Sequence, residues 1–179
     1  GVVVVPMDDG WSVVPAAGLA VEEHKSLDPT RRLATVRLAD ERSGHRLGDE
    51  PRPGFVRDLA ATLLAAESTG GAAWCVDTAA AYAKDRVQGR PVDGSLPGAG
   101  AIIHHPDVKR MLLTMRSVVE GCRAAAISAA AAYDTAHAHP DAAVRKQAQA
   151  VYEFLVPLVK GFSTEMSVEV ASLGVQVHG

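Results

Sequence analysis

Residues 55–87 read FVRDLAATLLAAESTGGAAWCVDTAAAYAKDRV, a composition of alanine, leucine and charged residues that favours helix. Apolar and small side chains recur there in steps of three and four, at Leu59, Leu63, Ala66, Gly70, Ala73, Val76, Ala80 and Ala83. That spacing places them on one face of an α-helix. The sequence therefore predicts one long helix over residues 55–87, which Gly89, Arg90 and Pro91 end.

A glycine pair, Gly70 and Gly71, lies at the centre of this helix. Each glycine costs about 1 kcal/mol relative to alanine in a helix interior, so a local weakness is one interpretation. We favour a second interpretation, because nearby residues on that face are also small. It predicts that another helix approaches closely at this pair.

A second helix begins at Pro106, where proline suits the first helical position and Asp107 complements the helix dipole. We expect it to continue to about His139. Its apolar stripe consists of Val108, Leu112, Met115, Val119, Cys122, Ala126 and Ala129.

A third helix begins after Pro140 and Asp141, which repeat the same start signal. Because Pro157 lacks a backbone donor, it is expected to kink or end this helix near Val156. Residues 159–173 then form a further helical piece.

The first 53 residues favour extended structure instead. The β-branched run at residues 2–5 and the run at residues 11–14 are separated by turn residues and predict a hairpin. Alternation over residues 33–38 makes that segment its plausible third strand. Residues 40–54, rich in glycine, proline and charge, predict a linker. The predicted fold is mainly α, an antiparallel helical bundle preceded by a few β-strands.

The overall composition excludes several classes of function. The 179 residues carry a formal charge of −3, which gives no electrostatic field for holding nucleic acid or an anionic membrane. No apolar run approaches the roughly 20 residues of a membrane span, and the first residues lack the basic start that is typical of a signal peptide. Two cysteines cannot form a disulfide framework or a zinc site alone. We expect a cytoplasmic protein.

Most catalytic motifs are absent, including phosphate-binding, metalloprotease and serine-hydrolase patterns. Histidines His104, His105, His137 and His139 precede the two Pro-Asp helix starts, and imidazole is a good metal ligand. However, the adjacent pair would diverge and no third ligand is marked by spacing. We therefore predict histidines at helix boundaries and no metal site.

Two glutamates, Glu67 and Glu120, lie within apolar helical segments. A buried carboxylate with a raised pKa could act as a general base. A carboxylate at the rim of the bundle, or one paired along its helix, is the interpretation we favour.

The end of the first helix, from Tyr82 to Pro91, reads YAKDRVQGRP. A guanidinium such as that of Arg86 binds pyrophosphate in a planar, bidentate manner that lysine cannot reproduce. The alternative is a surface arginine that the helix dipole favours at a helix C-terminus. The residues alone leave both open.

This segment resembles the acyl-CoA dehydrogenase family, whose C-terminal helical domain opens with a helix ending in Tyr-Ala-x-x-Arg-x-Gln-Phe-Gly-x-Pro. Residues 171–179, ASLGVQVHG, are similar to the family's Val-Gln-x-x-Gly-Gly signature and stop before its second glycine. The sequence is most similar to the long-chain and 3-methylmercaptopropionyl-CoA dehydrogenase branch. Other segments resemble the family in the same order, at residues 27–32, 64–72, 105–115 and 119–124.

The resemblance implies an FAD-dependent oxidoreductase that desaturates an acyl-CoA thioester between its α and β carbons. Electrons would pass to FAD and then to an electron-transferring flavoprotein. It implies that Arg86 contacts the FAD pyrophosphate, that Gln88 continues this contact, and that Gln176 and Gly179 lie along the same cofactor. Helix packing of this domain would also build a homodimer or homotetramer.

The sequence departs from the family at several positions. The motif's Phe is missing at Gln88-Gly89, which predicts a weaker flavin contact there. The family's usual catalytic glutamate follows the Gly-Gly signature, and its alternative position falls near Ala60, which cannot act as a base. The resemblance therefore assigns no catalytic residue to this chain.

The family also supplies a domain interpretation. Residues 1–53 resemble the C-terminal remnant of a central β-barrel domain with a linker, and residues 54–179 an incomplete C-terminal helical bundle domain. Because the sequence starts at Gly1 and stops within a signature, we expect a piece of a longer enzyme that is inactive alone. The alternative is a non-catalytic helical oligomerisation module.

Overall fold

The computed structural model describes residues 1–7, 10–17, 19–38, 44–48 and 53–179. The chain divides into two compact units, residues 1–57 and residues 58–179. Five strands precede three long helices: β1 (Val2–Met7), β2 (Gly10–Pro15), β3 (Ala20–His24), β4 (Leu33–Arg37), β5 (His45–Gly48), α1 (Pro53–Asp85), α2 (Pro106–Ala138) and α3 (Ala142–His178). A short 3-10 helix, Ile102–His104, precedes α2.

The predicted hairpin is confirmed, since β1 pairs antiparallel with β2 and Val4 lies opposite Val13. The predicted pairing of residues 33–38 with it is wrong. Strand β4 pairs instead with β3, a strand that the sequence analysis did not predict. A local turn explains this outcome, because Asp28 accepts a hydrogen bond from the Thr30 backbone N–H at 2.9 Å and folds β4 back on β3.

The predicted linker over residues 40–54 is wrong in part, because His45–Gly48 forms β5 along the edge of β2. The unpaired backbone groups of an edge strand accept a partner strand largely irrespective of its side chains. Residues 40–43 and 49–52 lie outside the described part of the chain.

Helices α1 and α2 match the expected segments within two residues, and the predicted stripe of α2 is its inward face. The predicted stripe of α1 is wrong in its first half, because Leu63, Ala66 and Gly70 are exposed. The buried residues there are Ala65, Thr69 and Ala72.

Of the two outcomes expected at Pro157, a kink or an end of the helix, the end is wrong, because α3 continues to His178. A proline inside a helix costs about 3 kcal/mol. Val156 and Val159, on either side of it, are buried, and burying them offsets this cost.

The core of this unit consists of two clusters between the helices. The cluster near the C-terminal ends of α1 and α3 contains Ala72, Val76, Ala79, Ala83, Ile102, Met111, Met115, Val119, Val170 and Val177. The second cluster contains Ala65, Ala126, Ala129, Tyr152, Val156 and Val159. Because alanine and valine dominate both, the helices pack closely.

The close approach that we expected at Gly70 and Gly71 occurs elsewhere. A Cβ added at either glycine would meet no described atom within 4 Å beyond the surrounding turns of its own helix, and neighbouring Trp74 is 69% exposed. At Gly174 of α3, by contrast, a Cβ would lie 3.5 Å from the Met115 Cε atom and 3.9 Å from the Cys75 Cβ atom. Small residues therefore mark an outward face of α1 and an inward face of α3.

Candidate functional site

The C-terminal ends of α1 and α3 meet at one end of the bundle. The rings of Tyr82 and His178 stack with centroids 4.4 Å apart and an angle of 28° between their planes. The Tyr82 hydroxyl also donates a hydrogen bond to the His178 carbonyl oxygen at 3.2 Å. Residues 82–89 and 174–179 therefore share one end of the bundle, which we call the candidate end.

The chain leaves α1 through a short paired segment. The Arg86 N–H donates to the Tyr82 carbonyl at 2.9 Å, and the Arg86 carbonyl accepts from the Ile102 N–H at 2.8 Å. The Gln88 N–H donates to the Gly100 carbonyl at 3.0 Å, and the Gly100 N–H donates to the Gly89 carbonyl at 3.1 Å. Residues 86–89 are thus held by their backbone against residues 100–102, while the Arg86 and Gln88 side chains are exposed.

A histidine at the start of α2 contacts the same segment. The His105 Nε2 atom lies 2.7 Å from the Gln88 carbonyl oxygen, to which it donates a hydrogen bond. Gly89 has a φ of +68°, in the left-handed region that favours glycine, and a Cβ there would lie 3.7 Å from the His105 Cε1 atom. The N-terminus of α2 is therefore tied to the candidate end.

The predicted residues of α3 lie in its final turn. Gln176 is exposed, and the Gly179 N–H donates to the Val175 carbonyl at 3.2 Å. Gly179 has a φ of +101°, which a residue with a side chain rarely adopts. The His178 Nδ1 atom donates to the Gly174 carbonyl at 2.8 Å, which fixes the ring that stacks on Tyr82.

The side chains of Arg86, Gln88 and Gln176 make no hydrogen bond to another described residue, so their donors face solvent. The nearby acidic residue Asp93 is engaged elsewhere, since its carboxylate lies 3.8 Å from the Lys109 amine. A hydrogen bond from the Ser95 backbone N–H lowers the pKa of Asp93 and keeps it ionised. The candidate end thus presents cationic and amide donors to solvent, together with the exposed carboxylate of Asp85.

The opposite end of the bundle contains three polar aromatic side chains. The Tyr152 hydroxyl lies 3.1 Å from the Thr62 hydroxyl, and its ring meets that of Tyr133 edge to face at 5.3 Å. Tyr133 in turn stacks on His137 at 4.1 Å. Burial raises the pKa of Tyr152, so it is neutral at physiological pH and packs as part of the second core cluster.

The histidines considered as metal ligands lie at helix boundaries, as predicted. His105 and His139 flank α2 at its two ends, and the His139 ring accepts a hydrogen bond from the Asp141 N–H at 3.1 Å. Within the ranges that the structure describes, no three His, Cys, Asp or Glu side chains are grouped to hold a metal ion.

The two glutamates considered as bases lie away from the core. Glu120 is exposed and pairs with Arg116 one turn earlier at 2.8 Å, which confirms it as a carboxylate paired along its helix. Glu67 is also exposed on α1.

Sequence reasoning missed both ring contacts of the candidate end. Tyr82 and His178 are separated by 96 residues, and His105 and Gln88 by 17 residues. The sequence indicated these contacts only through the positions of the two histidines. His178 lies within the segment 171–179, and His105 directly precedes the predicted start of the second helix.

None of the described helices is long and apolar enough to cross a membrane. In a comparison with known protein families, the model of the acyl-CoA dehydrogenase C-terminal domain matches residues 58–179.

Individual relatives are similar to this chain over different spans. A 3-methylmercaptopropionyl-CoA dehydrogenase of Ruegeria pomeroyi is 60% identical over 101 residues, which are 56% of this chain and 17% of the relative. The acyl-CoA dehydrogenase IpdE2 of Mycolicibacterium smegmatis is 31% identical over 173 residues, 96% of this chain and 44% of the relative. The acyl-CoA dehydrogenase FadE34 of Mycobacterium tuberculosis is 42% identical over 101 residues, 51% of this chain and 13% of the relative. The chain therefore spans less than half the length of these relatives.

Proposed function

The chain belongs to the acyl-CoA dehydrogenase family, and from this premise we propose that its candidate end forms part of an FAD-binding site. The observation that supports this most is the contact between Tyr82 and His178. It brings the end of α1 and the end of α3 to one place, although 96 residues separate them. These are the two segments that the family resemblance links to the cofactor.

The residues present fit the pyrophosphate of such a cofactor. The Arg86 guanidinium is exposed and offers a fork of donors that matches phosphate oxygens. The C-termini of α1 and α3 carry partial negative charge, so an anion here needs a cationic side chain to hold it. Arg86 supplies that charge, and the N-terminus of α2, tied to the Gln88 carbonyl through His105, adds a favourable dipole.

The other proposed contacts use amides and backbone. Gln88 and Gln176 each carry an exposed amide that can donate to a phosphate or ribose oxygen. Gly179, with its φ of +101°, has no Cβ and allows a ligand close to the backbone. Bound FAD would accept the hydride removed from the β carbon of the acyl-CoA thioester.

We assign no catalytic base to this chain. Removing the α proton requires a carboxylate within hydrogen-bond reach of the substrate. Glu120 is paired with Arg116, and Ala60 carries no acid. Glu67 is exposed on α1, about 22 Å along that helix from Tyr82. Residues 1–179 by themselves are therefore proposed not to turn over substrate. The electron acceptor is proposed to be an electron-transferring flavoprotein.

A second candidate function is a non-catalytic helical oligomerisation module. The outward face of α1 favours it, because Gly70 and Gly71 leave open space beside exposed Trp74. Small residues beside a large apolar one allow another helix to approach. As an enzyme, too, the protein is proposed to form a homodimer or homotetramer.

The experiment that separates these functions compares the chain with the product of its reading frame extended at both ends. Flavin absorbance and acyl-CoA-dependent reduction of a dye are measured for both, with size-exclusion chromatography for the oligomeric state. We expect the extended protein to be yellow and active, and residues 1–179 to be inactive. An extended protein that forms oligomers without flavin would contradict the enzyme and support the module.

A further inference from the structure

His105 occupies an unusual position for a residue at the start of a helix. Its backbone N–H donates to the Ile102 carbonyl at 2.9 Å, and its carbonyl accepts from the Lys109 N–H at 3.0 Å in the first turn of α2. Its side chain makes no capping bond to α2. Instead, Nε2 donates to the Gln88 carbonyl at 2.7 Å. The residue therefore connects α2 with the segment that leaves α1.

The ring lies against a position that suits only glycine. Gly89 adopts a φ of +68°, and a Cβ there would lie 3.7 Å from the His105 Cε1 atom and 3.9 Å from its Nε2 atom. Because a side chain in this conformation is strained, Gly89 lets the chain turn directly beneath the imidazole. The ring is half-buried in this place.

The segment that it contacts is otherwise held by backbone hydrogen bonds. The backbone bonds of Arg86 with Ile102 and of Gln88 with Gly100 hold the segment to a loop that itself contains turns and no regular element before Ile102. The hydrogen bond from His105 comes from the rigid start of a 33-residue helix. It is thus a direct link between this segment and the bundle.

We propose that His105 is a positioning residue for the cofactor site, which fixes residues 86–88 so that the Arg86 and Gln88 side chains present their donors together. This inference rests on the proposed FAD-binding function. His105 acts through the Gln88 backbone carbonyl and does not itself touch the cofactor. Through its ring, this residue directly before α2 restrains the segment that follows α1.

Three substitutions distinguish the contribution of the imidazole ring from that of its hydrogen-bond donor. His105→Phe keeps a ring and removes the donor, His105→Gln places an amide donor at a similar reach, and His105→Ala removes both. The matched control is His104→Ala, because His104 is also half-buried and its ring makes no hydrogen bond among the described residues. Amide hydrogen exchange is followed at Gln88, Gly100 and Ile102, with amides at the centres of α1 and α2 as internal references.

We expect His105→Phe and His105→Ala to accelerate exchange at the three amides about fivefold to tenfold, as the loss of one hydrogen bond implies. The reference amides and the His104→Ala protein should exchange as the wild type does, and His105→Gln should restore most of the protection. If the three amides of His105→Phe exchange at the wild-type rate, the His105 hydrogen bond does not restrain the segment and the proposal is wrong. Acceleration of equal size at the reference amides would also overturn it, because that is the effect of global destabilisation.

A titration of each protein with FAD then shows whether the His105 hydrogen bond supports FAD binding. Weaker FAD binding by His105→Phe, restored in His105→Gln, is the expected result. If wild type and His105→Phe bind FAD equally while exchange is accelerated, the positioning role is overturned. If the wild type binds no FAD, both the proposed function of this chain and the positioning role of His105 are wrong. The exchange rates still report whether the His105 hydrogen bond restrains the segment.

Discussion

The two units of this chain bury their side chains to very different extents. In residues 58–179, two clusters of buried apolar residues run through the helices. In the described part of residues 1–57, burial is concentrated on β2, where Ser12 and Val14 are buried, while every residue of β3 is exposed. A two-stranded sheet such as β3 with β4 is marginal by itself. The difference indicates that the helical unit contains its own core and the strands do not.

The largest effect is expected when the two units are produced separately. We expect residues 53–179 to be helical and to unfold cooperatively by themselves, because their core needs no residue of the strands. Residues 1–52 by themselves should lack stable structure. Far-ultraviolet circular dichroism during urea denaturation measures both. If residues 53–179 unfold without a cooperative transition, the helical unit does not contain a sufficient core of its own.

The core of the helical unit is tested by Met115→Ala. Met115 is fully buried at the point where α2 meets Gly174 of α3. Truncating a buried methionine typically costs about 2–5 kcal/mol of unfolding free energy. The control is Leu113→Ala, two residues away and 67% exposed, for which a change within about 0.5 kcal/mol is expected. Equal effects of the two substitutions in urea denaturation would be inconsistent with the described packing.

The second core cluster gives a test by pH. Because burial raises the pKa of Tyr152 in the folded state, its contribution to stability is complete below the pKa of the unfolded chain, about 10. That contribution is lost as pH rises through the higher folded pKa. We expect the free energy of unfolding to fall as the pH rises above about 10, and to fall less in Tyr152→Phe.

At neutral pH the same variant should lose about 1 kcal/mol, because its hydrogen bond with Thr62 is absent. Denaturation at several pH values gives both quantities. An alkaline fall of the same size in wild type and variant would show that Tyr152 is not the group responsible.

The smallest effect is expected at the candidate end. Tyr82→Phe removes the hydrogen bond to the His178 carbonyl and keeps the ring that stacks on it. The bond lies partly in water, so we expect a loss below about 1 kcal/mol. Tyr82→Leu removes both contacts and should cost more. Thermal unfolding of the two variants measures the difference, and identical midpoints would show that the stacking contributes nothing.

Local patterns in the sequence predicted the helices but not all of the strands. Helices α1 and α2 follow a three- and four-residue period that each segment carries within itself, so their limits were predicted within two residues. Strands β3 and β5 carry no such signal, because exposed side chains impose no alternation and the pairing is made by the backbone. The sequence did not predict that the helix continues past Pro157, because this depends on the burial of Val156 and Val159 in the core.

The candidate end could be predicted only in part, for a similar reason. Arg86, Gln88, Gln176 and Gly179 lie in motifs that the sequence displays. Their juxtaposition depends on two ring contacts between distant residues, Tyr82 with His178 and His105 with the Gln88 carbonyl. No single segment contains the information for such contacts, because they form only when three helices pack.

We propose that the candidate end binds FAD through Arg86, and an equilibrium titration with FAD measures this. The variant is Arg86→Ala, and the control is Arg123→Ala, an exposed arginine on α2 seventeen residues beyond Pro106 and thus about 25 Å along that helix. Loss of a charged hydrogen bond predicts a Kd about tenfold to hundredfold higher for Arg86→Ala and an unchanged Kd for Arg123→Ala. The same Kd for wild type and Arg86→Ala would show that Arg86 does not contribute to FAD binding.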